Sequence, residues 1–299
     1  MAERFRVGTF EPVYDPSFGE SQRWYINDHT FVRDHEGTWH LIGITHAEPA
    51  APFDELHFAH ATAPTLHGPW TKQPFALSTD HEWGETHLWA PHVIEHDSTY
   101  WMYYCAGGAK KTEYRIHLAT SDDCARWIRH PENPMIVDGF EARDPMLLWV
   151  DDRWVLYYTA TSEPEGGAFI VAAAESHDLV HWAGRHTVYR DELTGTGAGP
   201  TESPFVISHD GTYYLLIGPD WQGLVTSYEQ TGRYDPAAYC RTRVLASDDA
   251  LHFDLDGLVT VVDAHAAEVI VDENGDLWLS HCGWGQRGVF LAPLAIGAE

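Results

Sequence analysis

Three acidic residues stand in this chain just ahead of runs of apolar residues. They are Asp28 before Thr30-Phe-Val, Asp144 before Met146-Leu-Leu, and Glu202 before Phe205-Val-Ile. A carboxyl that keeps its proton can give it to a departing oxygen, and an ionised one can activate water or attack carbon itself. A third negative charge between them disfavours ionisation of the donor and stabilises positive charge that develops in a transition state. Arg143, beside Asp144, can fix a carboxylate or hold a hydroxyl. Taken singly, each acid could be a strand-end turn residue. Together they suit acid–base cleavage, provided the fold brings them to one point.

The elements around them repeat. Five segments share a short apolar run, a polar turn and an aromatic-rich run: Thr30–Ile42, His92–Tyr104, Met146–Tyr158, Phe205–Ile217 and Glu268–Ser280. Each reads as a β-hairpin, with Asp-Gly, Asn-Gly or Asp-Asp turns between β-prone runs. Trp39, Tyr100, Trp154, Tyr213 and Leu277 are equivalent positions, a period of about 60 residues. A third apolar run follows each hairpin, and in four units an aromatic (Trp70, Trp127, Trp182, Phe253) then opens a fourth. Helical periodicity is almost absent, which excludes an alternating α/β sheet. Four-stranded units repeated radially make a propeller. We therefore expect one all-β domain, a five-bladed β-propeller over residues 1–299. The N-terminal segment Arg4–Phe10 is expected to supply the outer strand of the last blade.

In a propeller the first strand of each blade lines the central channel and starts at the mouth of a funnel. Asp28, His92, Asp144, Glu202 and His265 precede the five apolar runs and are expected to converge there. Trp89, Trp24, Trp221 and Trp284 are candidate platforms for a sugar ring, and most Trp in such a fold is core. His87 is placed to reach a hydroxyl.

The motifs at these positions resemble those of the five-bladed glycoside hydrolases, family 43 and the related fructosidases of families 32 and 68. Arg143-Asp144-Pro145 and Glu202-Ser203-Pro204 stand in the order and blades of the family 43 motifs. Trp89-Ala90-Pro91 is similar to the second-blade signature of that family, and Asn27-Asp28 is similar to the opening of family 32. His29 departs from both patterns, which usually carry proline there. The resemblance implies Glu202 as general acid, Asp28 as general base and Asp144 as modulator of the acid, acting on small arabinofuranosides or xylosides with inversion. The alternative it implies is a retaining fructosidase with Asp28 as nucleophile. It also implies a cation, often calcium, beside a fifth-blade histidine at His265, with water filling most positions.

Two further readings stand apart from these. A non-catalytic sugar-binding propeller would need no converging acids. A phosphorylase would need a basic pocket, for which Arg143 and Arg287 are the main candidates. Gly195–Gly199 lacks the lysine and helix of a phosphate loop and reads as the lead into Glu202.

With 18 basic and 45 acidic residues the formal net charge is -27. That field repels nucleic acid and anionic membrane surfaces, so neither is expected as a partner. Met1–Thr9 has no apolar core of a secretory signal, and a cytoplasmic location is the expectation. Cys105, Cys124, Cys240 and Cys282 lack metal-type spacing and are expected to be free thiols.

Overall fold

A computed structural model describes residues 5–190, 201–220, 223, 227, 229–232, 236–282 and 288–297. Its strands form five antiparallel sheets, one for each repeat. Blade 1 comprises Trp24–Arg33, Trp39–Ala47, His57–Ala63 and Thr71–Ser78. Blade 2 comprises Trp89–His96, Thr99–Gly107, Tyr114–Ser121 and Ile128–Arg129. Blade 3 comprises Ala142–Val150, Arg153–Glu163, Gly166–Ser176 and Ala183–Arg190. Blade 4 comprises Glu202–His209, Thr212–Gly218, Thr242–Ser247 and Leu258–Val262.

Blade 5 comprises Val269–Val271, Leu277–His281 and Val289–Ile296, and the chain's start completes it. Phe5–Val7 pairs with Leu294–Ile296, and Glu11–Tyr14 pairs with Val289–Leu291. The two ends of the chain are thus knitted into one sheet, which closes the ring and covers an edge that would otherwise be unpaired.

The hairpin turns follow from local chemistry. Asp97 and Ser98 both have positive φ, as do Asp210 and Gly211. This is the turn whose twist matches the flanking strands, and Gly211 adopts it without a Cβ clash. Between neighbouring blades the apolar faces interdigitate. Ile42, Ile44 and Phe58 of blade 1 pack on Met102, Tyr104 and Ala119 of blade 2. Val155, Tyr157 and Val171 of blade 3 pack on Val206, Leu215 and Val244 of blade 4. Each Ile, Val, Leu, Met or Phe among them, fully removed from water, contributes roughly 1.5–3 kcal/mol. In blades 1 to 4 the aromatic that precedes the outer strand joins these interfaces: Trp182 of blade 3 meets Tyr103 of blade 2 edge-on at 5.8 Å.

Among the described residues no helix is long and apolar enough to cross a membrane.

Candidate active site

Every inner strand is broken at the same place. Asp28, Ala90, Asp144, Ser203 and Ala266, one for each blade, all have positive φ, between 28° and 54°. In blades 1 to 4 the pairing register slips there, between Asn27 and His29, Trp89 and His92, Arg143 and Met146, and Glu202 and Phe205. A left-handed residue that is not glycine is strained, and a bulge re-aims the side chains around it. Two rings of side chains result. The bulge residues form the lower ring. The residues just ahead of them, Asn27, Trp89, Arg143, Glu202 and His265, form an upper ring, and all five line one cleft of about 260 Å³.

Asp28 and Asp144 belong to the lower ring and Glu202 to the upper, so the three carboxyls meet at the cleft floor from blades 1, 3 and 4. Ser203 ties them together. Its hydroxyl donates to Asp28 Oδ1 at 2.5 Å, and its backbone N–H donates to Asp144 Oδ2 at 3.1 Å. Arg143 is the central cation of the floor. It donates to Glu141 Oε1 and Asp144 Oδ2, both at 2.6 Å, and to the Thr201 carbonyl at 3.2 Å, and it lies 3.5 Å from Glu202 Oε1. Tyr239 donates its hydroxyl hydrogen to Glu202 Oε2 at 2.8 Å and stacks on His265.

Crowding of acids out of water sets the protonation. Burial pushes Asp28 up to about 6; the Ser203 hydroxyl opposes this, the Glu202 charge adds to it, and Arg143 opposes it. Burial pushes Asp144 up to about 7 against the pull of Arg143, with Asp28 and Glu202 adding to the rise. Burial works against the charge of Arg143, but Asp144, Glu141 and Glu202 outweigh it and hold the guanidinium well above its ordinary value. The buried carboxyls Asp28 and Asp144 thus resist ionisation and hold or take up a proton more readily than carboxyls in water.

One side of the cleft is aromatic. Trp89 donates its indole N–H to the Pro52 carbonyl at 3.1 Å, and its ring lies 5.5 Å from Phe53 and 5.1 Å from Tyr114. Phe53 is 41% exposed. Among the other cleft residues are Lys111 and Glu141, whose charged ends are 3.4 Å apart.

Several expected positions differ in the structure. His92 does not reach the cleft. The bulge makes Ala90, not His92, the partner of Asp28 and Asp144, so His92 lies two residues deeper. There it lines a narrow axial cavity of about 30 Å³, with Nδ1 4.0 Å from Glu268 Oε1. His87 is fully buried behind Trp89, its ring 3.8 Å from the indole, so it backs the platform and does not line the cleft. Trp24 does not line the cleft; it packs against His46 and Phe75, with the Lys72 ammonium over its ring. Trp221, Trp284, Arg287 and Gly195–Gly199 lie outside the described residues.

His265 lines the cleft, but burial lowers its affinity for a proton and Tyr239 covers its ring. Among the described residues no three His, Cys, Asp or Glu side chains stand close enough to hold a metal ion. A cation beside His265 would therefore be held by at most two such side chains of the described residues, with water in its other positions.

His29 occupies the place where proline was expected. Its Nδ1 faces Cys282 Sγ at 2.9 Å. Burial keeps the imidazole neutral, lowered to about 3, and pushes the thiol up, so both groups meet uncharged. The residue after Asp28 is thereby pinned to blade 5. Ser203, Tyr239, Glu141 and Phe53 were not expected at the site. Ser203 had a signal in its place beside Glu202; the other three come from loops or strand ends without a motif.

The profile of the family Glycosyl hydrolases family 43 matches residues 70–237. Probable arabinan endo-1,5-alpha-L-arabinosidase C of Aspergillus fumigatus is 36% identical over 188 residues, 57% of this chain and 53% of its own. The protein of the same name from Aspergillus flavus is 26% identical over 193 residues, 61% of this chain and 58% of its own. The chain thus spans little more than half the length of these curated relatives. The crystal structure of an endo-arabinase from Bacteroides thetaiotaomicron superposes with a TM-score of 0.69 over 96% of this chain and 99% of that one, at 15% identity, a likeness of fold.

Proposed function

Because the chain belongs to glycosyl hydrolase family 43, we propose that it is an inverting glycoside hydrolase of α-L-arabinofuranosyl linkages in short arabinan-type chains. One observation carries the reading: three carboxyls from separate blades are held on one cleft floor by Ser203 and Arg143. The names of the relatives support arabinose as the sugar.

In this reading the aromatic side of the cleft stacks a sugar ring. Glu202 donates its proton to the departing oxygen. Asp28 accepts a proton from the water that attacks the opposite face. The Ser203 hydroxyl occupies Oδ1 and favours the ionised form, leaving Oδ2 to take that proton. Asp144, paired with Arg143, places negative charge beside the oxocarbenium-like transition state and fixes the Ser203 backbone. The floor carries acids in excess of its cations, which suits a neutral pentose and disfavours phosphorylated or uronate sugars.

The test is a panel of linear 1,5-α-arabino-oligosaccharides, xylo-oligosaccharides and sucrose, with proton NMR of the first-formed product. Arabinose-containing products appearing first as the β-anomer support the proposal. Release of fructose with retained configuration would replace it by the fructosidase reading, and binding without release would replace it by a sugar-binding propeller.

A further inference from the structure

We propose that Tyr239 is a positioning residue of the reaction: its hydroxyl orients the Glu202 carboxyl and sets the alkaline limit of proton donation. The inference rests on the reading of Glu202 as the acid. Tyr239 ends a single helical turn, Pro236–Tyr239, in the connection between the second and third strands of blade 4. Its ring stacks on His265 of blade 5, with centroids 5.3 Å apart and planes 26° apart. The stack holds the hydroxyl 2.8 Å from Glu202 Oε2. Here the phenol is the donor: the Glu202 charge and burial push its own ionisation far above the ordinary range, so it keeps its proton.

The other charged or titratable groups around Glu202 are Arg143, 3.5 Å from Oε1, Asp28, Asp144 and His265. Arg143 is already engaged by Glu141, Asp144 and the Thr201 carbonyl, and removing it would disturb the whole floor. Tyr239 is the donor that can be taken away alone. A bond donated to a carboxylate favours the ionised form, whereas an acid must hold its proton. The contact therefore has two opposed effects. It fixes the direction in which Glu202 delivers its proton, and it lowers the pH at which the proton is lost.

Tyr239→Phe separates these effects, since phenylalanine keeps the stack on His265 and removes only the hydroxyl. We expect the alkaline limb of the kcat/KM profile to move up by about one pH unit, the scale of one charge-assisted hydrogen bond. At the optimum, kcat on substrates with poor leaving groups should fall several-fold. Infrared difference spectra against Glu202→Gln read the Glu202 carboxyl directly and need no substrate. In Tyr239→Phe its protonated band should persist to higher pH by the same interval. An unmoved band overturns the inference whatever the activity, as does an unmoved alkaline limb in an active enzyme. A moved band in a protein that cleaves no glycoside supports the contact and removes the hydrolase reading instead. Circular dichroism and the melting temperature confirm that the variant is folded.

Discussion

Ser203 Oγ lies 2.5 Å from Asp28 Oδ1 and donates to it, so a hydroxyl of the fourth blade holds a carboxyl of the first across the funnel. The bond favours ionised Asp28 against the burial that resists it. Ser203→Ala should therefore lower kcat/KM by about 10- to 100-fold and move the acid limb of its pH profile upward. The backbone should tolerate alanine, because Ala90 and Ala266 hold the same left-handed conformation in blades 2 and 5. A pH series on one aryl arabinofuranoside checks both effects.

Asp28 also predicts a stability trade. Its folded value, about 6, lies above the ordinary 3.8 of an aspartate. A carboxyl whose value is raised on folding contributes stability at low pH that is lost as pH rises through the folded value. Asp28→Asn removes that loss. At pH 8 the variant should be more stable than wild type, by a gain on the order of 1–3 kcal/mol, the upper end being the full shift. At pH 4 the gain should vanish. Melting curves at the two pH values check this, and a variant less stable than wild type at pH 8 would contradict it.

Arg143 is buried among Glu141, Asp144 and Glu202. Its loss leaves these carboxyls without their shared cation. Arg143→Met should cost about 3–5 kcal/mol in urea denaturation, the range for breaking a buried ion pair from one side. Arg143→Lys should recover only part of this, because an ammonium cannot bond Glu141, Asp144 and the Thr201 carbonyl in the fan that a guanidinium spans.

Much of the fold was legible because a propeller writes its period into the chain. The hairpin runs ahead of Trp39, Tyr100, Trp154, Tyr213 and Leu277 are its inner strands, and the N-terminal Phe5–Val7 closes the ring. The bulge was not legible. It depends on backbone φ at Ala90, Ser203 and Ala266, residue types that carry no left-handed signal. Counting back from the apolar run therefore reached His92 in place of Ala90, while the same count found Asp28 and Asp144, where aspartate tolerates that conformation. Tyr239 was hidden for a different reason. Its place beside Glu202 is set by a long connection and a stack on another blade, and neither leaves a pattern in local sequence.

The assignment of Glu202 as proton donor is tested most directly by comparing wild type with Glu202→Gln across aryl arabinofuranosides of graded leaving-group acidity. A general acid matters most where the departing oxygen is basic. Turnover should fall by at least about 100-fold on poor leaving groups, and the loss should shrink steadily toward the most acidic phenols, which depart without protonation. An equal loss at every leaving group, or no loss at all, would contradict the assignment of Glu202 as the acid.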